Sequence, residues 1–229
     1  MASSDAQPVT LAVGETIKVS GLLDVPEGAQ ACYVLAHGAG AGMSHPFLAA
    51  VAKELAERRV ATLRYQFPYM EQGTKRPDPP KLAHATVRAA VAEAHRLLPK
   101  LDLFAGGKSF GGRMTSQAQA LAPLAGVRGL AFLGFPLHPA GQPSRERAKH
   151  LFEVRIPMLF LQGTRDALAV LEELEPVCRE LGAHAALRLF EDADHNFHVP
   201  ARTDKKDPQL RAELLDTLSA WMAEVRTAK

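Results

Sequence analysis

Apolar runs of strand length alternate with amphipathic helical segments along most of the chain, and this alternation restricts the fold more than any other feature. The runs "ACYVLAHG", "VATLRYQF", "DLFAGG", "VRGLAFLGFP", "PMLFLQG" and "AALRLFE" have the length and the β-branched or aromatic content of strands. The first is apolar almost without a break, as expected of a strand covered on both faces. After it, "HPFLAAVAKELAERR" sets Phe47, Leu48, Val51 and Leu55 at helical spacing against Lys53, Glu54 and Glu57. The segments "KLAHATVRAAVAEAHRLL", Ser109 to Leu121, "ALAVLEELEPVCREL" and "PQLRAELLDTLSAWMAEVR" continue the helical series. Upstream, "VTLAVG" and "TIKVSGLLDVP" meet at Gly14-Glu15 and read as an antiparallel hairpin. The pattern predicts an α/β fold: a mostly parallel sheet of about eight strands with an antiparallel N-terminal hairpin and helices on both faces. A chain of 229 residues suits one such domain, residues 1–229, with residues 1–8 as a flexible leader and no large cap domain. Ligands of such sheets bind at the carboxyl ends of the strands.

Composition excludes several classes of function. A hydrophobic fraction of 47% with 23% charged residues is that of an ordinary globular protein, and a net charge of +2 gives no nucleic-acid surface. No run of about 18 apolar residues is present, so no membrane span is expected. Cys32 and Cys178 have no paired spacing, and "MASSDAQPVT" lacks the basic and apolar regions of a secretory signal. A cytoplasmic protein with buried thiols is expected.

The stretch "LDLFAGGKSFGGRM" carries two signatures at once. Gly107-Lys108-Ser109 ends like a phosphate-binding loop, but that loop needs a glycine where Asp102 stands. Gly107-Lys108-Ser109-Phe110-Gly111 is also Gly-x-Ser-x-Gly, the strand-to-helix turn that exposes a nucleophilic serine. Small residues two before and two after Ser109 let strand and helix pack closely, and Gly107 and Gly111 meet that demand. A hydroxyl needs a base and a group to orient it, in the chain order Ser, Asp or Glu, His. Asp166 in "LQGTRDAL" and His195 in "DADHNFH" each follow a strand, in that order. Position favours Asp166 over Asp192 and Asp194 for the acid, since residues so close to His195 in sequence reach its ring poorly. His198 competes with His195, and Asp166 also suits the cap of a helix beginning near Ala167. Two histidines and two aspartates in one loop are weak support for a metal, and none is expected. Backbone donors for a tetrahedral oxyanion are expected from Phe110 and from Ala39 or Gly40 in "HGAGAGMSHPF". That loop is no dinucleotide fingerprint, because Met43 stands where the third glycine belongs.

The motifs "HGAGAGMSHPF", "RYQFPYMEQGTKRPDPP", "GGKSFGGRM", "LGFPLHP", "LQGTRDAL" and "DADHNF", in this order, resemble the small α/β-hydrolases related to dienelactone hydrolase, in the branch that includes testis-expressed protein thirty. The resemblance runs from about Gly21 to the last helix. It implies an α/β-hydrolase fold with Ser109 as nucleophile, Asp166 as acid and His195 as base. Dienelactone hydrolases use a cysteine nucleophile, so their substrate does not carry over.

These readings predict a serine hydrolase of small acyl substrates that needs no cofactor, present as a monomer or homodimer. The alternative is a hydrolase-fold protein that serves as an interaction module. The loops "QFPYMEQGTKRPDPP" and "PLHPAGQPSRERAKH" are expected to wall the pocket. Phe67, Tyr69, Met70 and Leu137 would supply apolar lining, Lys75, Arg76 and His138 would meet an anionic group, and Lys108 would face substrate or cover a helix with its methylenes.

Overall fold

Glycine at the Gly14 turn and alternating burial along both flanking strands produce the expected hairpin. In the computed structural model, which describes residues 6–228, β1 (Gln7–Val13) pairs antiparallel with β2 (Ile17–Asp24), Val13 opposite Ile17. Gln7 and Pro8, expected within a flexible leader, pair instead with Leu23 and Leu22. Residues 1–5 lie outside the described residues.

The apolar runs form β3 (Ala31–Ala36), β4 (Val60–Tyr65), β5 (Asp102–Lys108), β6 (Val127–Leu133), β7 (Met158–Gly163) and β8 (Ala185–Phe190). The sheet order is β1-β2-β4-β3-β5-β6-β7-β8, antiparallel as far as β4 and parallel from β4 to β8. Every residue of β3, β4 and β7 is buried, whereas β1 and β2 alternate. That difference follows from cover on two faces against cover on one.

The helices are α1 (Pro46–Glu57), α2 (Pro68–Glu71), α3 (Pro80–Leu97), α4 (Phe110–Leu121), α5 (Leu171–Leu181) and α6 (Asp207–Thr227). Buried side chains of α1 and α6 form one apolar cluster with the sheet, and those of α3, α4 and α5 form another on the opposite face. The Trp221 ring of α6 packs edge-on to Phe104, their centroids 5.6 Å apart. Three local features differ from the pattern reading. Pro68 starts the single-turn helix α2 inside a segment expected to be loop, and Glu146–Glu153 forms a 3-10 helix in another. Helix α5 begins at Leu171 instead of near Ala167, since residues 164–170 form a turn after β7. Cys32 and Cys178 are buried free thiols, and burial pushes both up to about 12. Among the described residues no helix is long and apolar enough to cross a membrane.

Gly106 shows how tightly the central strands approach one another. A Cβ there would lie 1.8 Å from the Ala131 carbonyl oxygen, while one at Gly14 would meet nothing within 4 Å. Both residues have positive φ. Gly14→Ala is therefore expected to cost only the backbone strain of about 1–2 kcal/mol. Gly106→Ala adds overpacking of about 1–3 kcal/mol. Urea unfolding of the two variants checks this, and equal losses would contradict the packing described.

Candidate active site

The strand order reverses at β3, whose neighbours are β4 and β5. The chain leaves β3 toward α1 on one face and leaves β5 toward α4 on the other, opening a crevice at their carboxyl ends. Ser109 lies in it, at φ 50° and ψ −116°, a conformation that non-glycine residues avoid. Its N–H donates to the Leu133 carbonyl at 3.3 Å, and its own carbonyl accepts from Arg113 N–H at 3.1 Å. Close backbone packing sustains the turn. A Cβ at Gly107 would lie 2.2 Å from Ala36 O, and one at Gly111 would lie 2.6 Å from His37 O.

Two distant loops meet Ser109. His195 Nε2 lies 2.8 Å from Ser109 Oγ, and His195 Nδ1 lies 2.6 Å from Asp166 Oδ2. Asp166 is only 3% exposed; its Oδ1 accepts from Leu168 N–H at 2.8 Å, and the Gln162 side-chain amide donates to Oδ2. The carboxylate therefore ties down its own loop and does not cap α5. A carboxylate on Nδ1 leaves Nε2 free to accept the serine proton, so the arrangement can carry out base-assisted nucleophilic attack. Gly163 permits the meeting, since a Cβ there would lie 2.3 Å from Ala193 O in the loop after β8.

The side chains of Asp194 and His198 in that loop are engaged elsewhere, and Asp192 makes no bond to His195. Asp194 Oδ1 accepts from the N–H groups of Asn196 and His198 at 2.7 and 2.9 Å, and Asp192 N–H donates to Thr164 Oγ1. His198 is exposed and pairs with Asp207 at 2.7 Å.

Of the two amides open to choice in the glycine-rich loop, that of Gly40 donates to Tyr69 Oη at 2.9 Å. The Ala39 amide has no partner among the described residues, nor has that of Phe110 in the first turn of α4, where a helix leaves its amides free. His37, which the sequence pattern hid inside an apolar run, holds this loop in place. Its Nδ1–H donates to the Gly38 carbonyl at 2.7 Å and its Nε2 accepts from Phe67 N–H at 3.1 Å.

A cavity of about 550 Å³ opens over Ser109 and His195, walled by residues 38–41, His45, Phe47, Leu48, Lys108, Leu168 and Asn196. Lys108 is thus the one substrate-contact expectation that lies on the cavity. The expected walls are a correction, because neither long loop supplies them. Pro68 turns Tyr69 inward, where it is 2% exposed beneath the glycine-rich loop, and Met70 packs half-buried against the core. Phe67, Leu137 and His138 are fully buried. His138 accepts from Val170 N–H at 3.0 Å and donates its own N–H to Leu168 O at 2.9 Å, so it shapes the wall through Leu168 without touching the cavity. Lys75 and Arg76 are exposed and away from it. Phe47 and Leu48 escaped notice because their spacing matched the buried stripe of α1. A shallower depression of about 440 Å³ between α1 and α6 is lined by charged side chains such as Lys53, Glu57 and Arg211, with no nucleophile near it.

The family model described as alpha/beta hydrolase domain matches residues 29–223. Dienelactone hydrolase from Anabaena variabilis has a similar fold, with a TM-score of 0.78 and 23% identity over 97% of this chain and 99% of that one. A lidless α/β serine hydrolase from Xanthomonas campestris aligns with a TM-score of 0.73 and 20% identity, over 96% and 97% of the two chains. Est1E from Butyrivibrio proteoclasticus aligns with a TM-score of 0.73 and 16% identity, over 98% and 100%.

Burial pushes the His37 ring down to about 4, against the opposing pull of the Gly38 carbonyl. The unfolded chain therefore binds more protons than the folded one between about pH 4 and the ordinary histidine range near 6.5. This group's contribution to stability is full above that range and is lost as pH falls through it. His150, also pushed to about 4 by burial and by Arg113 and His84, acts in the same direction. NMR titration is expected to find the His37 ring neutral at pH 5.5; a ring already protonated there would contradict the loop geometry.

Proposed function

The chain belongs to the alpha/beta hydrolase domain family, and on that premise we propose that it is a serine hydrolase cleaving an ester or related acyl bond of a small substrate. The observation that carries this reading is the continuous hydrogen-bonded chain from Ser109 Oγ through His195 to Asp166, beginning at a strained turn on the cavity floor. His195 Nε2 takes the hydroxyl proton as Ser109 Oγ attacks the carbonyl carbon. Asp166 holds the Nδ1–H tautomer and stabilises the imidazolium. The Ala39 and Phe110 amides receive the developing oxyanion, in a position favoured by the positive end of α4. Imidazolium then protonates the leaving group. Water, deprotonated by the same ring, attacks the acyl-enzyme and restores Ser109. The cavity of about 550 Å³ favours a small acyl group, with Phe47, Leu48 and Leu168 as apolar wall.

Nitrophenyl esters of increasing acyl length provide the test. Ser109→Ala is expected to lower kcat/KM on the order of 10⁴-fold or more, and Asp166→Asn on the order of 10⁴-fold, through loss of the productive tautomer. A Ser109→Ala loss of less than tenfold would contradict the assignment.

A further inference from the structure

Lys108 stands between Gly107 and the proposed nucleophile, yet the proton relay does not use it. The residue is 8% exposed. Its Nζ crosses from β5 to the loop between β8 and α6, where it donates to the His195 carbonyl oxygen at 2.6 Å. That is its one hydrogen-bond partner among the described residues. Gly134, just past β6, makes the crossing possible. A Cβ there would lie 3.2 Å from Lys108 Nζ, 3.3 Å from His195 O and 3.4 Å from His195 Cε1. The Phe197 ring faces the ammonium from another side, 5.8 Å from its centroid. Burying an ammonium without an ion-pair partner costs several kcal/mol in general terms, and an apolar side chain of the same length would cover the strand without that cost. The ammonium is therefore explained by what it holds, and it holds the backbone of the residue whose ring reaches Ser109.

We propose that Lys108 is a positioning residue for the proton relay, its ammonium pinning the His195 carbonyl so that Nε2 stays within reach of Ser109 Oγ. This rests on the serine-hydrolase reading above. Charge assistance makes this bond stronger than a neutral one. The charged groups that face Lys108 are Asp166 from the loop after β7, and Asp194 with the titratable His195 from the loop after β8; Gly38 and Gly134 add none. Burial pushes the ammonium down to about 8, against the pull of Asp166 and Asp194. The bond weakens as pH rises through that value, and turnover falls with it. Stability moves the other way. The unfolded chain holds the lysine proton up to about 10.5, so between these values unfolding takes up a proton and this group's contribution to stability rises with pH. A merely structural lysine would not separate the two.

Lys108→Met, which keeps the apolar stem, is the test, with Lys108→Gln as a second variant that retains a neutral donor. Hydrogen exchange followed by mass spectrometry reads the pin directly: amides of residues 192–199 are expected to exchange faster in Lys108→Met. With nitrophenyl esters, kcat is expected to fall about 10- to 100-fold while KM stays within about threefold, as for a displaced base. The alkaline decline of the wild type near pH 8 is expected to vanish in both variants. Unchanged exchange of residues 192–199 overturns the proposal whatever the activity. Faster exchange with unchanged kcat and pH profile overturns the catalytic part of it. Faster exchange in a protein whose wild type neither cleaves an ester nor reacts with a fluorophosphonate contradicts the hydrolase reading and leaves the pin supported.

Discussion

The carbonyl oxygens of Ala36 and His37 approach the turn after β5 so closely that only hydrogen fits at Gly107 and Gly111. This contact between β3 and the start of α4 governs the rest of the site. It leaves no room for the turn to relax, so Ser109 stays at positive φ with its amide bonded to Leu133. It also sets the loop after β3, which carries the Ala39 amide, beside Ser109 and the first turn of α4, which carries the Phe110 amide. Strain of this kind, about 1–3 kcal/mol in general, persists only where surrounding packing over-determines it. The doubly covered central strands supply that packing.

The partners of Ser109 arrive from loops far away in sequence, and each is held by more than one contact. Gly163 lets the chain after β8 cross the end of β7. Asp166 binds the Leu168 amide and the Gln162 amide group as well as His195, so its position does not depend on the ring it orients. The glycine-rich loop is fixed the same way, by neutral His37 on one side and the Tyr69 hydroxyl on the other. Donors and acceptors fixed in advance need little reorganisation when charge develops in a reaction beside them.

Much of this was legible in the sequence because period and order are local properties. Six apolar runs with helices between them yield the parallel sheet, and Gly14 with its alternating flanks yields the hairpin. Ser109, Asp166 and His195 stood out because each follows a strand at the sheet edge where ligands collect, and the structure brings them together. The cavity wall was not legible. Tyr69 and Leu137 sit in loops that pattern reading treats as exposed, but Pro68 starts a helical turn that buries Tyr69, and Leu137 is drawn into the core beneath the chain before α5. The choice between Ala39 and Gly40 depended on a hydroxyl from a residue 29 positions along the chain. Lys108 had no partner to be read, because its partner is a backbone carbonyl across the crevice. Contacts of this sort leave no periodic trace.

The central claim is that the fold itself, through the strained turn and the relay behind it, makes Ser109 a nucleophile. Intact-mass measurement after treatment with a fluorophosphonate tests this most directly, since the reagent phosphonylates an activated serine regardless of which acyl group the cavity prefers. The account predicts a single adduct on native protein, mapped to the peptide containing Ser109 and absent both after heat denaturation and in His195→Ala. Native protein that stays unmodified, or that is labelled equally when denatured, would contradict it.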